Sequence, residues 1–178
     1  MSGSSGDSGG GGLPPPATPP ADVDAATVGT IVAIFVAAER GAPVEALPRV
    51  EADRRGIVGD RNRKARYRRG TAVTFVAEED VAACAAALGV TITPADTRRN
   101  VVTRGVDLAG LVGVRFRLGS VELLGVERCD PCGLLERRTH RGVRARLHGG
   151  LRCDVIGAGV FAVGDAIAPL AESSGAVG

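Results

Sequence analysis

The chain has 178 residues, of which 44% are hydrophobic, 24% charged and 3% aromatic, and its formal net charge at pH 7 is +2. That is one domain's length, and with no Trp and one Tyr its core must be built from Val, Leu, Ile and Ala. A charge so near zero argues against a nucleic-acid binder, and no apolar run approaches the roughly 20 residues that span a membrane. No basic segment followed by an apolar stretch opens the chain, so a cytoplasmic protein is expected. In that compartment the four cysteines are expected to be thiols, ligands or nucleophiles rather than a disulfide framework.

Residues 1–27 are Gly, Ser and Pro with almost nothing to bury, and are expected to be a disordered tail. Residues 171–178 read the same way, which leaves 28–170 as the folded domain. Residues 29–38 (GTIVAIFVAA) form an apolar, β-branched run of strand length. Residues 43–50 suggest a second strand, at an edge because of its prolines. Gly56-Ile57-Val58-Gly59-Asp60-Arg61 is a tight turn. It serves either turn geometry alone or an anionic ligand met by backbone N–H groups and Arg61. Arg61, Arg63, Lys64, Arg66, Arg68 and Arg69 then crowd nine residues, as a solvated loop or as an anion site.

Residues 71–77 predict another strand. The period then changes: Val81, Cys84, Ala85 and Leu88 share one helical face, with acids in the first turn and Gly89 at the end. Cys84 on that face is expected to be inert core. Residues 99–104 predict a short strand entered through Arg98-Arg99-Asn100, where Asn100 offers both donor and acceptor groups. Residues 114–118 and 120–126 flank Gly119 as a hairpin. Residues 143–147 suggest a short helix, and 151–156 and 160–167 the last strands. Many short strands, glycine turns and one clear helix predict a mainly β fold, a closed or nearly closed β-barrel with one or two short helices.

Cys129-Asp130-Pro131-Cys132 follows the strand pattern VELLGV, where a strand gives way to a loop and a thiol can be exposed on a fixed scaffold. Nearby cations favour the thiolate, the form that attacks or carries sulfur. Spacing alone leaves three readings open. One is a reactive sulfur site on one cysteine. Another is a zinc centre of Cys129, Cys132, His148 and Cys153. The third is a pair of small buried thiols with no chemical role. Against zinc, Cys153 alternates with Leu151 and Val155 and is expected to face the core.

Taken together, GIVGDR (56–61), RRNVVTRGVDL (98–108), the glycines of LVGVRFRLGSVEL (111–123), CDPC (129–132), GGLRCDVIGAG (149–159) and VGDAI (163–167) resemble the MOSC family. That module is named for the C-terminal domain of molybdenum cofactor sulfurases, and the resemblance spans about residues 30–170. It implies a barrel similar to the β-barrel domain of pyruvate kinase, with one functionally important cysteine. The family's Pro-Cys falls on Pro131-Cys132, so the catalytic role carries over to Cys132, which is also the implied molybdenum ligand. Cys129 is an extra thiol that many members lack, and beside Cys132 it is expected to be a secondary, resolving thiol.

The implied cofactor is the molybdenum cofactor, a pterin held at the barrel mouth by Arg99, Asn100, Gly59, Asp60 and Arg61. The implied partners are a cysteine desulfurase or a molybdoenzyme. Pyridoxal phosphate would belong only to such a separate partner, and neither nucleic acid nor a membrane is expected. The competing functions are a zinc-stapled binding module and the base-analogue detoxification known for some stand-alone relatives. Those relatives often carry a His soon after the Gly-Asp turn, where this chain has Arg61-Asn62-Arg63-Lys64.

Overall fold

The computed structural model describes residues 29–63 and 66–170. The tails expected at 1–27 and 171–178, and Lys64 of the basic loop, lie outside those residues. Strands β1 (Thr30–Val36), β2 (Glu45–Ala46), β3 (Arg49–Asp53) and β4 (Gly56–Ile57) come first. Strand β5 (Val73–Ala77), helix α1 (Glu78–Leu88), a 3-10 turn (Pro94–Thr97) and strand β6 (Val101–Arg104) follow. The hairpin β7 (Arg115–Leu118) and β8 (Val121–Cys129) leads into α2 (Gly133–Arg138) and α3 (Val143–Arg146). Strands β9 (Gly150–Gly157), β10 (Gly159–Ala162) and β11 (Ile167–Pro169) end the fold.

Eight strands form one curled sheet in the order β11-β7-β8-β9-β5-β6-β1-β2. Its ends meet where Thr30 bridges Ala166. There the Ile31 N–H donates to the Asp165 carbonyl at 3.0 Å and the Ile167 N–H to the Gly29 carbonyl at 2.9 Å. The fold is therefore mainly β and nearly closed, as its short strands and glycine turns predicted. Strands β10, β3 and β4 make a smaller second sheet.

Alternation along the strands sorts two cores. Val73 and Phe75 of β5, Phe116 of β7, Val121 and Leu123 of β8 and Leu151, Cys153 and Val155 of β9 fill the barrel. Phe75 and Phe116 meet edge to face, with ring centroids 5.9 Å apart. Cys153 thus faces the core. Val76 and Val102 point the other way, onto Val81 and Cys84 of α1, Leu135 of α2 and Val143 of α3. Helix α1 is the crossover that lets β5 and β6 run parallel. Its acids Glu78, Glu79 and Asp80 occupy the first turn, and Gly89 ends it at φ +63°. Gly150 lets β9 lie close on β5, since a Cβ there would run into the carbonyl oxygen of Phe75.

Three sequence expectations need correction. The strand expected over 160–167 is two strands, β10 on β3 and β11 on β7. They are separated by a turn in which Gly164 has φ +93° and the Asp165 carboxylate accepts the Ala162 N–H at 2.8 Å. Residues 43–50 hold the two-residue β2 and the start of β3 rather than one strand. Helix α2 was not expected: at six residues it is too short to show a period.

One buried polar residue ties three of these segments together. Asn100 is 3% exposed and uses its whole amide. Its Oδ1 accepts from the Thr74 backbone N–H (3.2 Å) and hydroxyl (2.9 Å). Its Nδ2 donates to the Phe35 carbonyl (3.2 Å) and the Asp60 carboxylate (3.1 Å). Asp60 in turn accepts from the N–H groups of Ala37 (3.1 Å) and Asn62 (2.8 Å). The knot fixes the end of β1, the start of β5 and the turn that carries Arg61.

Replacing Asn100 by Ala leaves buried partners unpaired and should cost about 3 kcal/mol in urea unfolding. Asn100→Asp sets a second carboxylate against Asp60. Like charge raises the folded-state pKa of the new group, so its destabilisation should be largest at neutral pH. It should shrink as pH falls through the carboxylate range, when one proton restores the bond. Melting curves at neutral and mildly acidic pH check this.

Candidate active site

Cys132 is exposed and stands at the head of α2 with extended backbone, φ −98° and ψ 163°. The backbone N–H of Leu135 lowers its thiol pKa most; burial opposes the shift, and the N–H of Leu134 and the charge of Arg99 add to it. Cys84 and Cys153 go the other way, because burial raises both. Cys132 is therefore the thiol suited to being a thiolate in contact with solvent.

It opens on a cleft of about 230 Å³ on the outer face of the barrel, between the ends of β5, β8 and β9 and helix α2. Thr74 and Arg152, opposite one another on β5 and β9, belong to this wall. They alternate with Phe75, Leu151 and Cys153, which point inward. The site is thus on the flank rather than in the barrel mouth.

Five arginines line the cleft: Arg61, Arg98, Arg99, Arg138 and Arg152. Asp96 is the one acid among the lining residues, and Glu127 lies 3.8 Å from Arg152. Arg99 donates to the carbonyls of Cys129 (3.2 Å) and Asp130 (3.4 Å), so it holds the cysteine loop while facing the cleft. Arg98 is a non-glycine residue at φ +56°, a conformation that costs energy. Its Nη1 donates to the Ala42 carbonyl at 2.8 Å. Its Nε and Nη2 are buried with no hydrogen-bond partner among the described residues. Burial lowers the Arg98 pKa, with the charges of Arg61 and Arg138 adding and Asp60 opposing. A cluster of cations with unused donors favours an anion.

Cys129 lies in the same cleft although it is only 1% exposed. The Arg152 Nε–H donates to its sulfur at 3.3 Å. A bulge in β8 puts it there. Up to Gly125, opposite Cys153, the odd-numbered residues of β8 face the barrel; past a register shift Glu127 lies opposite Arg152 and Cys129 opposite Gly150. The extra residue turns the end of the strand over.

Of the residues expected at the site, Cys132, Cys129, Arg99 and Arg61 therefore share one cleft. Asn100 and Asp60 stand behind its wall, in a narrow crevice with Arg61 and Arg98, and their polar groups serve the knot rather than the opening. Gly59, at φ +86°, shapes the turn. The zinc set does not assemble. Cys153 is sealed in the barrel core, and His148 is exposed beside Asp80, 3.6 Å away. Among the described residues no three of His, Cys, Asp and Glu are placed to hold a metal. Arg98, at the entry to β6, and Arg138, among the cations near Cys132 in sequence, were noted but not assigned to the site, and Arg152 was not anticipated. The signal for Arg152 was its place between two inward-facing neighbours on β9.

Among the described residues no helix is long and apolar enough to cross a membrane. No match is found among curated proteins. Solved structures with the same fold include the YuaD protein of Bacillus subtilis, 21% identical, with a TM-score of 0.67 over 78% of this chain and 93% of that one. YiiM of Escherichia coli is 15% identical, with a TM-score of 0.59 over 80% and 70%. YiiM of Geobacillus stearothermophilus is 14% identical, with a TM-score of 0.60 over 84% and 77%. The MOSC domain model matches residues 62–168, from the basic loop to the last strand, and the chain belongs to the MOSC domain family.

Proposed function

We propose that this protein carries sulfur as a persulfide on Cys132 and presents it to a phosphate-bearing acceptor bound by the arginines of the cleft. The observation that carries this reading is the juxtaposition of one exposed thiol of lowered pKa with five cleft-lining arginines. The thiolate of Cys132 would attack the outer sulfur of a donor persulfide. A bond forms from Cys132 Sγ to that sulfur, the donor's S–S bond breaks, and the donor leaves as its thiolate. No net oxidant is needed. The donor fits the class of cysteine desulfurases, and any pyridoxal phosphate would belong to that partner.

Membership of the family makes the molybdenum cofactor the acceptor to consider. The donor set fits such a group: Arg98 has two unused buried N–H donors for a phosphate, and Cys132 offers a soft sulfur ligand. When bound, the cofactor would supply a molybdenum centre able to take sulfur. Arg98, Arg138 and Arg61 would hold the anionic end, and Arg99 would keep the cysteine loop in place.

A brief pulse of inorganic polysulfide, quenched by alkylation, should add sulfur to the peptide carrying Cys132, read by mass spectrometry. Cys132→Ser should abolish this addition, whereas Cys84→Ala should leave it intact; equal labelling in Cys132→Ser would sink the assignment. The rate of alkylation by iodoacetamide reports the thiolate. Because the pKa of Cys132 is lowered, its pH midpoint should fall below the ordinary thiol value of 9.0. Arg99→Gln removes a cation and should move that midpoint up. Inorganic phosphate should slow the alkylation in the wild type, and less so in Arg98→Gln.

A further inference from the structure

Two thiols, not one, face the cleft, and they differ in access. Cys132 is exposed, whereas Cys129 is 1% exposed and meets the cleft from its inner wall. A bulky external donor can therefore reach Cys132 and not Cys129. Only two residues separate them, and that link is fixed on two sides. Arg99 donates to the carbonyls of Cys129 and Asp130. Gly149 packs against Asp130, where a Cβ would collide with the carboxylate.

Each sulfur has its own positive partner. Cys132 has Arg99 close by, and Cys129 accepts the Nε–H of Arg152 at 3.3 Å. Arg152 is within reach of both sulfurs: its own pKa is raised, first by the bond to Cys129 and more weakly by Glu127 and Cys132. A guanidinium offers a counter-charge to a thiolate formed at Cys129 and orients its sulfur.

We propose that Cys129 is a second reacting thiol that releases the sulfur carried on Cys132 as hydrosulfide. This deepens the carrier reading and rests on it. The thiolate of Cys129 attacks Sγ of persulfidated Cys132. The Cys129–Cys132 disulfide forms, the bond from Cys132 Sγ to the outer sulfur breaks, and that sulfur leaves as HS⁻. The carried sulfur gains two electrons and the two cysteines lose them. A dithiol reductant then reduces the disulfide, becoming a disulfide itself, and returns both thiols. Arg152 is the positioning residue for Cys129.

The test has two arms, run on the full chain under anaerobic conditions. In the first, an aromatic disulfide reagent with a coloured leaving thiolate forms a mixed disulfide at Cys132. Wild type should then release a second equivalent of colour as Cys129 closes the ring, with the Cys129–Cys132 link found by peptide mass mapping. Cys129→Ser and Cys129→Ala should both stop after the first equivalent. Arg152→Gln keeps both sulfurs, and should slow the second phase about tenfold and the first much less. In the second arm, polysulfide-loaded wild type should release sulfide and end as the disulfide, and Cys129→Ser should keep the persulfide.

A stable mixed disulfide or a stable persulfide in wild type overturns this inference and leaves the carrier reading standing. Ring closure in the first arm with no sulfur uptake in the second overturns the carrier reading, and sulfide release with it. An Arg152→Gln variant that folds and closes as fast as wild type removes Arg152 from the step.

Discussion

The site depends on one buried hydrogen-bond knot. Asn100 satisfies both oxygen acceptor positions and both amide protons inside the protein, binding the end of β1, the start of β5 and the turn at Asp60. A half-satisfied amide at that depth would be worse than an apolar residue, so the three segments must come together in one arrangement or not at all. Asp60 extends the knot, since its carboxylate accepts the N–H groups of Ala37 and Asn62. Arg61 and Asn62, which line the cleft, are placed by that turn. The polar groups that build the wall are therefore not the ones that face a ligand.

The cleft itself is held in a state that favours an occupant. Arg98 sits in a left-handed backbone conformation, with two guanidinium nitrogens buried and unused. Arg61 and Arg138 are near enough to lower its pKa. Such an arrangement costs stability, and an anion among the arginines would offset that cost. The basic loop beyond the turn is anchored separately: Asp154 is buried and accepts the Gly70 N–H at 2.7 Å and the Tyr67 hydroxyl at 2.5 Å. That bond raises the Tyr67 pKa, with burial contributing next. Strand β9 thus serves three tasks in successive residues: Arg152 in the cleft, Cys153 in the core and Asp154 under the loop.

Much of this was legible from residues 28–170 alone. Short β-branched runs broken by glycines set the mainly β class because they leave no room for long helices, and α1 showed itself by its change of period. The inward face of Cys153 and the burial of Cys84 followed from alternation and helical spacing, which are local rules. The order of GIVGDR, RRN, CDPC and VGDAI carried the family, and the Pro-Cys pair carried Cys132. Where local signals were weak the sequence misled: α2 has too few residues for a period, and 160–167 is one apolar run that changes sheets at Gly164 and Asp165.

The residues by themselves determined that a thiol stands at the end of a strand, with arginines near it in number. Only tertiary structure decided which arginines, and on which face. Arg98, Arg99, Arg138 and Arg152 come from three separate parts of the chain, and their convergence depends on strand register and on a turn with positive φ. The position of Cys129 is the clearest case. Side chains alternate with a strict period of two, so the run VELLGVERC would by itself put Cys129 on the same face as Val121 and Leu123, in the core. One extra residue between Gly125 and Glu127 reverses that, and a bulge is settled by pairing with β9 rather than by the strand's own sequence.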